Sequence, residues 1–222
     1  MPHPSAAELC RRYAAAGLAE PDLAATWVAQ LQDWLAQAEE AQLTQPGAMT
    51  LATVDGQGQP TARTVLLKGL DDRGLIFFTN RTSRKAAALA AVPAAGLVLP
   101  WVPLERQVCI AGQVEQVTRA ETEAYARSRP RGSQIGAWAS HQSQVISGRS
   151  VLEQRREELE RRFAGAPVPV PPFWGGYRVL PLTVEFWQGR PDRLHDRLRF
   201  RRRDGRPGAA SDAGWVIERL AP

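Results

Sequence analysis

A chain of 222 residues, 44% hydrophobic and 23% charged, is long enough to bury one sizeable core. It holds no run of about 18 apolar residues, no basic-then-apolar leader in "MPHPSAAELCRRYAAAG", only two cysteines, and three scattered histidines; these exclude a helical membrane span, a disulfide scaffold and a metal site, and point to a cytoplasmic protein. The net charge of +5 admits nucleic acid or a phosphorylated small molecule as partner, and among 28 basic residues only Lys68 and Lys85 are lysines.

Helices are predicted at 5–17 and 21–43. Pro21 and Asp22 open the second, and Leu23, Trp27, Leu31 and Leu35 form its apolar stripe. The period then changes. "AMTLATV" (48–54), "PTARTVLLKGL" (60–70) and "GLIFFTN" (74–80) read as strands separated by "DGQG" and "DDRG", an antiparallel meander. A short helix follows with Ser83 as its N-cap. Strands resume at "AGLVLPWV" and "ERQVCIAGQVEQV", the second bent by Gly112.

Thr118 and Glu121 make a capping box for a helix ending near Ser128. Residues 129–147 read as loop with one helical turn, residues 150–163 as a charged helix, and "GAPVPVPPFWGG" as a rigid connector. "YRVLPLTVEFWQG", "RLHDRLRFRRR" and "GWVIERL" supply the last strands. The expected class is mainly β with helices, an antiparallel barrel with N-terminal and peripheral helices; residues 1–45 form the helical segment and 46–222 the barrel, over a single core.

Several groups could carry chemistry. Arg84 and Lys85 stand in the first turn of a helix, where cations are disfavoured unless an anion sits there. With Thr79, Thr82 and Ser83 they describe a phosphate seat, or else two solvated cations. Arg63 and Lys68, five apart on one strand, fall on opposite faces. Gln107 can offer an amide to a ring. Tyr125, Arg129 and Ser133 are spaced by four and suit a phosphate beside an aromatic ring, or simply a helix C-terminus. At strand period, Arg193, His195, Arg197, Arg199 and Arg201 share one face of "RLHDRLRFR". Trp187 reads as core or wall. No nucleophile elbow, HExxH or Walker loop occurs, so the inventory fits an enzyme whose cofactor does the redox work.

The blocks "RTVLLKG", "FFTNRTSRK", "LERQV", "SRPRGSQIGAW", "SHQS", "FWGGYRV", "EFWQG" and "RLHDR" together resemble the pyridoxamine (pyridoxine) 5'-phosphate oxidase family. That resemblance implies an FMN-binding split barrel of Greek-key type, a homodimer with FMN at its interface. It implies oxidation of pyridoxamine or pyridoxine 5'-phosphate to pyridoxal 5'-phosphate, with O2 reduced to peroxide. By matching motif it assigns FMN to Arg63, Thr64, Val65, Leu66, Leu67, Lys68, Phe78, Thr79, Arg84, Lys85, Gln107, Gln142, Ser143, Trp187 and Arg197. Substrate falls to Lys68, Tyr125, Arg129, Ser133, Arg193 and His195, the last two catalytic, with Arg11, Arg12 and Tyr13 able to fold over it. On this assignment Arg199 and Arg201 are solvated. Phe78 replaces the family's frequent tyrosine and Gln45 its frequent acid. Other readings are an oxidase of the same fold acting on a phenazine-type substrate, a non-catalytic vitamer or flavin carrier, and a basic nucleic-acid-binding protein.

Overall fold

A computed structural model describes Glu8, residues 17–206 and residues 214–222. The helix expected at 5–17, with Arg11, Arg12 and Tyr13, falls outside these apart from Glu8. Among the described residues nine antiparallel strands dominate: β1 (Ala48–Val54), β2 (Pro60–Leu66), β3 (Gly69–Asp71), β4 (Gly74–Asn80), β5 (Ala94–Trp101), β6 (Arg106–Gln116), β7 (Trp174–Gln188), β8 (Asp196–Arg202) and β9 (Trp215–Arg219). The helices are α1 (Trp27–Glu40), α2 (Arg84–Ala91), α3 (Arg119–Ser128), α4 (Arg131–Ala139) and α5 (Ser150–Arg162).

The expected meander is corrected by the pairing. β1 and β2 form one hairpin and β3 and β4 another, but the sheet runs β2-β1-β5-β6-β7-β4-β3, with β8 on β7 and β9 on β8. The run 60–70 therefore breaks at Leu67 and Lys68. Leu67 N–H donates to Gly47 O at 2.8 Å and Lys68 N–H to Ile76 O at 2.8 Å, so consecutive residues bond to opposite ends of the sheet and curl it towards a closed barrel. Lys68 is thereby placed at the seam.

Alternation builds the interior. Leu51, Leu75, Phe77, Leu97, Leu99, Val108, Val184, Phe186 and Leu198 are all essentially inaccessible. The bend expected at Gly112 is a register shift in which Ala111 opposes Thr183 and Gly112 opposes Pro181. A Cβ at Gly112 would lie 2.1 Å from Leu180 O, so only glycine allows this approach.

α1 begins later than expected. Thr26 caps it by accepting from Ala29 N–H at 3.1 Å, while Pro21 and Asp22 lie in a preceding 3-10 turn. Its buried stripe is Trp27, Leu31, Trp34 and Ala38, and Trp34 meets Phe186 edge-on at 5.2 Å. The capping box and bounds of α3 match expectation. Residues 129–147 do not: they hold the full helix α4, which Pro130 opens as N-cap.

Candidate active site

Two cavities open beside the seam. The first, about 380 Å³, is lined by Lys68, Tyr125, Arg129 and Ser133, and by Leu66, Phe78, Thr79, Asn80, Gln142 and Trp174. The second, about 470 Å³, is lined by Arg63, Thr64, Arg84, Lys85, Gln142 and Ser143, among others. Gln142 lines both. Each wall carries cations and, among the described residues, no carboxylate, an arrangement that repels itself until an anion enters.

In the second cavity Lys85 is only 8% exposed. Its Nζ donates to Gln142 Oε1 at 2.9 Å and Thr79 Oγ1 at 3.1 Å, with Ser83 Oγ at 3.5 Å, all neutral acceptors. Burial, reinforced by the Arg63 charge, pushes the ammonium below the ordinary lysine range. Arg63 is also lowered by burial and then by Arg84, although its Nη1 donates to Thr53 Oγ1 at 2.7 Å and its Nη2 to Thr61 Oγ1 at 2.6 Å. Ser83 occupies the N-cap position of α2, but its side chain makes no capping bond; Ser143 Oγ accepts the Arg84 N–H at 3.2 Å instead. Ser143 adopts φ +74°, a strained backbone that aims the loop at the helix. Thr82 turns away to Asn80 Oδ1 at 2.7 Å.

In the first cavity three rings stack: Phe78 on Tyr125 at 4.1 Å and on Trp174 at 5.4 Å. The Arg129 guanidinium lies over Trp174, 4.7 Å from the ring centroid, and burial lowers its pKa against a raising contribution from Tyr125. Burial raises the Tyr125 hydroxyl, which therefore stays protonated and able to donate. Lys68 is exposed at the mouth. Tyr125, Arg129 and Ser133 thus line one cavity, even though Arg129 is the C-cap that follows α3 and Ser133 belongs to α4. Trp174 stands outside the motif-based assignment, and the glycine pair after it in "FWGG" is its signal in the sequence.

Other expected residues lie elsewhere. Val65 and Leu67 pack their side chains against the core, leaving Thr64 and Leu66 to face the cavities. Gln107, Trp187 and Arg197 form a separate transverse row, directly opposite one another across β6, β7 and β8. The Trp187 and His195 rings are in contact, tilted by 42° with centroids 4.5 Å apart, and His195 Nδ1 accepts the Arg190 N–H at 3.1 Å.

"RLHDRLRFR" is not one strand. β8 starts at Asp196, and Arg193 sits in a 3-10 turn where Asp192 and Arg193 have φ of +57° and +60°, so neither Arg193 nor His195 shares the strand face with Arg197. The arginines that do share it meet acids of the same chain. Arg197 pairs with Glu185 through Nε at 2.7 Å and Nη2 at 3.1 Å. Arg199 and Arg201 are half-buried on Glu218, each at 2.6 Å, rather than solvated, and the hydrogen bonds from the two guanidiniums, Arg201 first, hold the Glu218 carboxyl at about 2.

No cluster among the described residues has the side chains to hold a metal, and no helix among them is long and apolar enough to cross a membrane.

Known proteins resemble this chain over nearly its whole length. A family model described as "Pyridoxamine 5'-phosphate oxidase" matches residues 35–163, and one described as "Pyridoxine 5'-phosphate oxidase C-terminal dimerisation region" matches residues 174–222. The chain is 52% identical over 218 residues to a pyridoxine/pyridoxamine 5'-phosphate oxidase of Acaryochloris marina, covering 98% of this chain and 96% of that protein. It is 54% identical over 212 residues to a protein of the same name from Saccharopolyspora erythraea, covering 95% and 92%. Among solved structures, PhzG from Burkholderia lata 383, in complex with tetrahydrophenazine-1-carboxylic acid, superposes with a TM-score of 0.82 at 33% identity, covering 91% of this chain and 95% of that one. A pyridoxamine 5'-phosphate oxidase-related, FMN binding protein from Nostoc punctiforme PCC 73102 shares the split-barrel fold, with a TM-score of 0.68 at 19% identity over 90% and 99% of the chains. With both halves matched in order and relatives above 50% identity along nearly its whole length, the chain belongs to the pyridoxamine 5'-phosphate oxidase family.

Proposed function

We propose that this chain is an FMN-dependent oxidase that converts pyridoxamine and pyridoxine 5'-phosphates to pyridoxal 5'-phosphate, acting as a homodimer. The observation that carries the reading is the pair of acid-free cationic cavities meeting at Gln142, a layout suited to two phosphorylated ring compounds side by side. Bound FMN supplies the two-electron acceptor, with O2 as the final oxidant.

The residues divide the work. Arg63, Arg84 and Lys85 hold the flavin phosphate, Ser143 and the α2 N-terminus adding neutral donors. Arg129, Lys68, Tyr125 and Ser133 anchor the substrate phosphate, which fixes the far end of the ring. The row Gln107, Trp187 and Arg197, with Arg193 and His195, lies in or beside the segment matched by the dimerisation-region model, and in this reading a second copy brings it to the cavities. Arg193 and His195 then position the reacting carbon substituent. The strained turn under Arg193 fits such a role, because positive φ at two successive non-glycine residues costs about 1–3 kcal/mol each and tends to survive where a side chain must be aimed.

Purified protein is expected to be yellow, to release FMN on denaturation, and to form peroxide with pyridoxine 5'-phosphate. Colourless protein, or flavoprotein inert towards both phosphorylated vitamers, rejects the proposal. The likeness to PhzG makes a phenazine-type substrate the second reading. Peroxide formation with tetrahydrophenazine-1-carboxylic acid but not with the vitamer would select it. Within the first reading, Arg193→Met should lower kcat by roughly 100-fold with little change in KM. Unchanged turnover would remove Arg193 from the reacting centre.

A further inference from the structure

Behind the first cavity, on the outer face of β7, lies a buried arginine with three acids around it. Arg178 is 3% exposed and stands opposite Ile76 of β4 and Glu115 of β6. Its Nη1 bonds to Asp71 of β3, its Nη2 donates to Glu121 of α3 at 2.8 Å, and its Nε lies 3.7 Å from Glu115. One side chain therefore ties the strand that follows Lys68 to the helix that carries Tyr125 and Arg129.

The contacts along α3 repeat. Glu121, Tyr125 and Arg129 are spaced by four, and Arg178, Gly176 and Trp174 by two. Glu121 meets Arg178; Tyr125 stacks on Phe78, whose ring covers Gly176; Arg129 lies over Trp174. Helix and strand run in opposite senses along this seam. Four helical residues rise about 6 Å and two strand residues about 6.6 Å, so three rungs stay in step. The middle rung tolerates no side chain, since a Cβ on Gly176 would come within 2.7 Å of Phe78 Cε1. A ring stack and a cation over a ring both slide easily along their planes. The charged first rung, fixed on the buried Arg178, is what resists sliding.

We propose that Arg178 is a positioning residue for the phosphate end of the first cavity, setting the axial register of α3 through Glu121 and the placement of the Lys68 seam through Asp71. The proposal rests on the reading of Arg129, Tyr125 and Lys68 as phosphate anchors. Glu121 allows register to be separated from helix capping. Its Oε2 accepts from Thr118 N–H and Oγ1, each at 2.8 Å, while Oε1 accepts from Arg178. Glu121→Gln can keep the cap. Its amide nitrogen then faces the Arg178 guanidinium, donor against donor, and the first rung opens.

The test uses holoenzyme of wild type, Arg178→Met and Glu121→Gln, the second serving if the first does not fold. Expected are a KM for pyridoxine 5'-phosphate raised roughly 10-fold with kcat within about 2-fold, and kcat/KM for unphosphorylated pyridoxine changed by less than about 2-fold. Arg178→Lys, which keeps the charge but loses the fork that reaches two carboxylates, should recover part of the KM. By hydrogen exchange, amides of residues 119–129 should exchange about 5-fold faster in both variants, while those of β1 do not change. Unchanged KM and exchange, or a fall in kcat shared by both substrates, overturns the proposal. A wild type that leaves pyridoxine 5'-phosphate unoxidised sinks the proposed activity instead; the exchange of residues 119–129 then decides on the register alone.

Discussion

Lys85→Met should yield protein that loses FMN on dilution. The ammonium of Lys85 is buried among neutral acceptors and beside Arg63 and Arg84, with no carboxylate among the described residues of the cavity wall. In ligand-free protein that charge is uncompensated; a phosphate supplies the counter-charge. Losing one buried, charge-assisted contact of this kind costs about 2–3 kcal/mol, so Kd for FMN should rise roughly 30- to 150-fold. Flavin fluorescence on titration measures it. Retained affinity would show that the flavin phosphate lies elsewhere.

The pH dependence supplies a second, oppositely signed test. Burial and Arg63 depress the Lys85 pKa, so the charged form destabilises the ligand-free fold. A cation whose folded pKa is below its unfolded one makes the empty protein gain stability as pH rises through the folded value towards the unfolded value. FMN binding needs the proton, so affinity should fall over the same range, below the pH at which an ordinary lysine titrates. Lys85→Arg should remove the alkaline loss of affinity, and ligand-free Lys85→Met should melt no lower than ligand-free wild type.

Alternation and turn chemistry made most strands legible in the sequence. β1 and β4 were bounded to the residue, and the Gly112 bend and the capping box of α3 followed from local rules. What local rules could not carry was pairing. Nothing in "PTARTVLLKGL" distinguishes one strand from two, because the break at Leu67 and Lys68 is set by which distant strands, β1 and β4, claim the backbone groups on either side. The same limit applies to "RLHDRLRFR". Its arginines alternate correctly from Arg197 onward, but their acids, Glu185 and Glu218, come from neighbouring strands. Residues that line a cavity from one local segment, such as Arg84 with Lys85 and Tyr125 with Arg129, could be found by spacing. Trp174 and Arg178, which act through partners far away in the chain, could not.

Arg129→Leu should raise KM for pyridoxine 5'-phosphate far more than it lowers kcat. Arg129 caps the C-terminus of α3 with φ −77° and ψ 146°, the helix ending there while its guanidinium lies over Trp174. Among the described residues its guanidinium has no acid partner, so its donors are free for an anion in the cavity shared with Lys68, Tyr125 and Ser133. Removing it takes away charge and forked geometry together. With about 2–3 kcal/mol for a charge-assisted contact, KM should increase roughly 30- to 150-fold. Leucine keeps apolar cover on Trp174, so kcat at saturation should stay within a few-fold. Arg129→Lys separates the two contributions: a point charge without the planar fork should recover part of the loss and leave KM about 10-fold high. Unphosphorylated pyridoxine provides the internal control, since an anchor for phosphate has nothing to grip in it. If the two substrates lose the same factor, Arg129 acts on the ring or on the fold; if KM does not move at all, the phosphate is held elsewhere and the first cavity is not its seat.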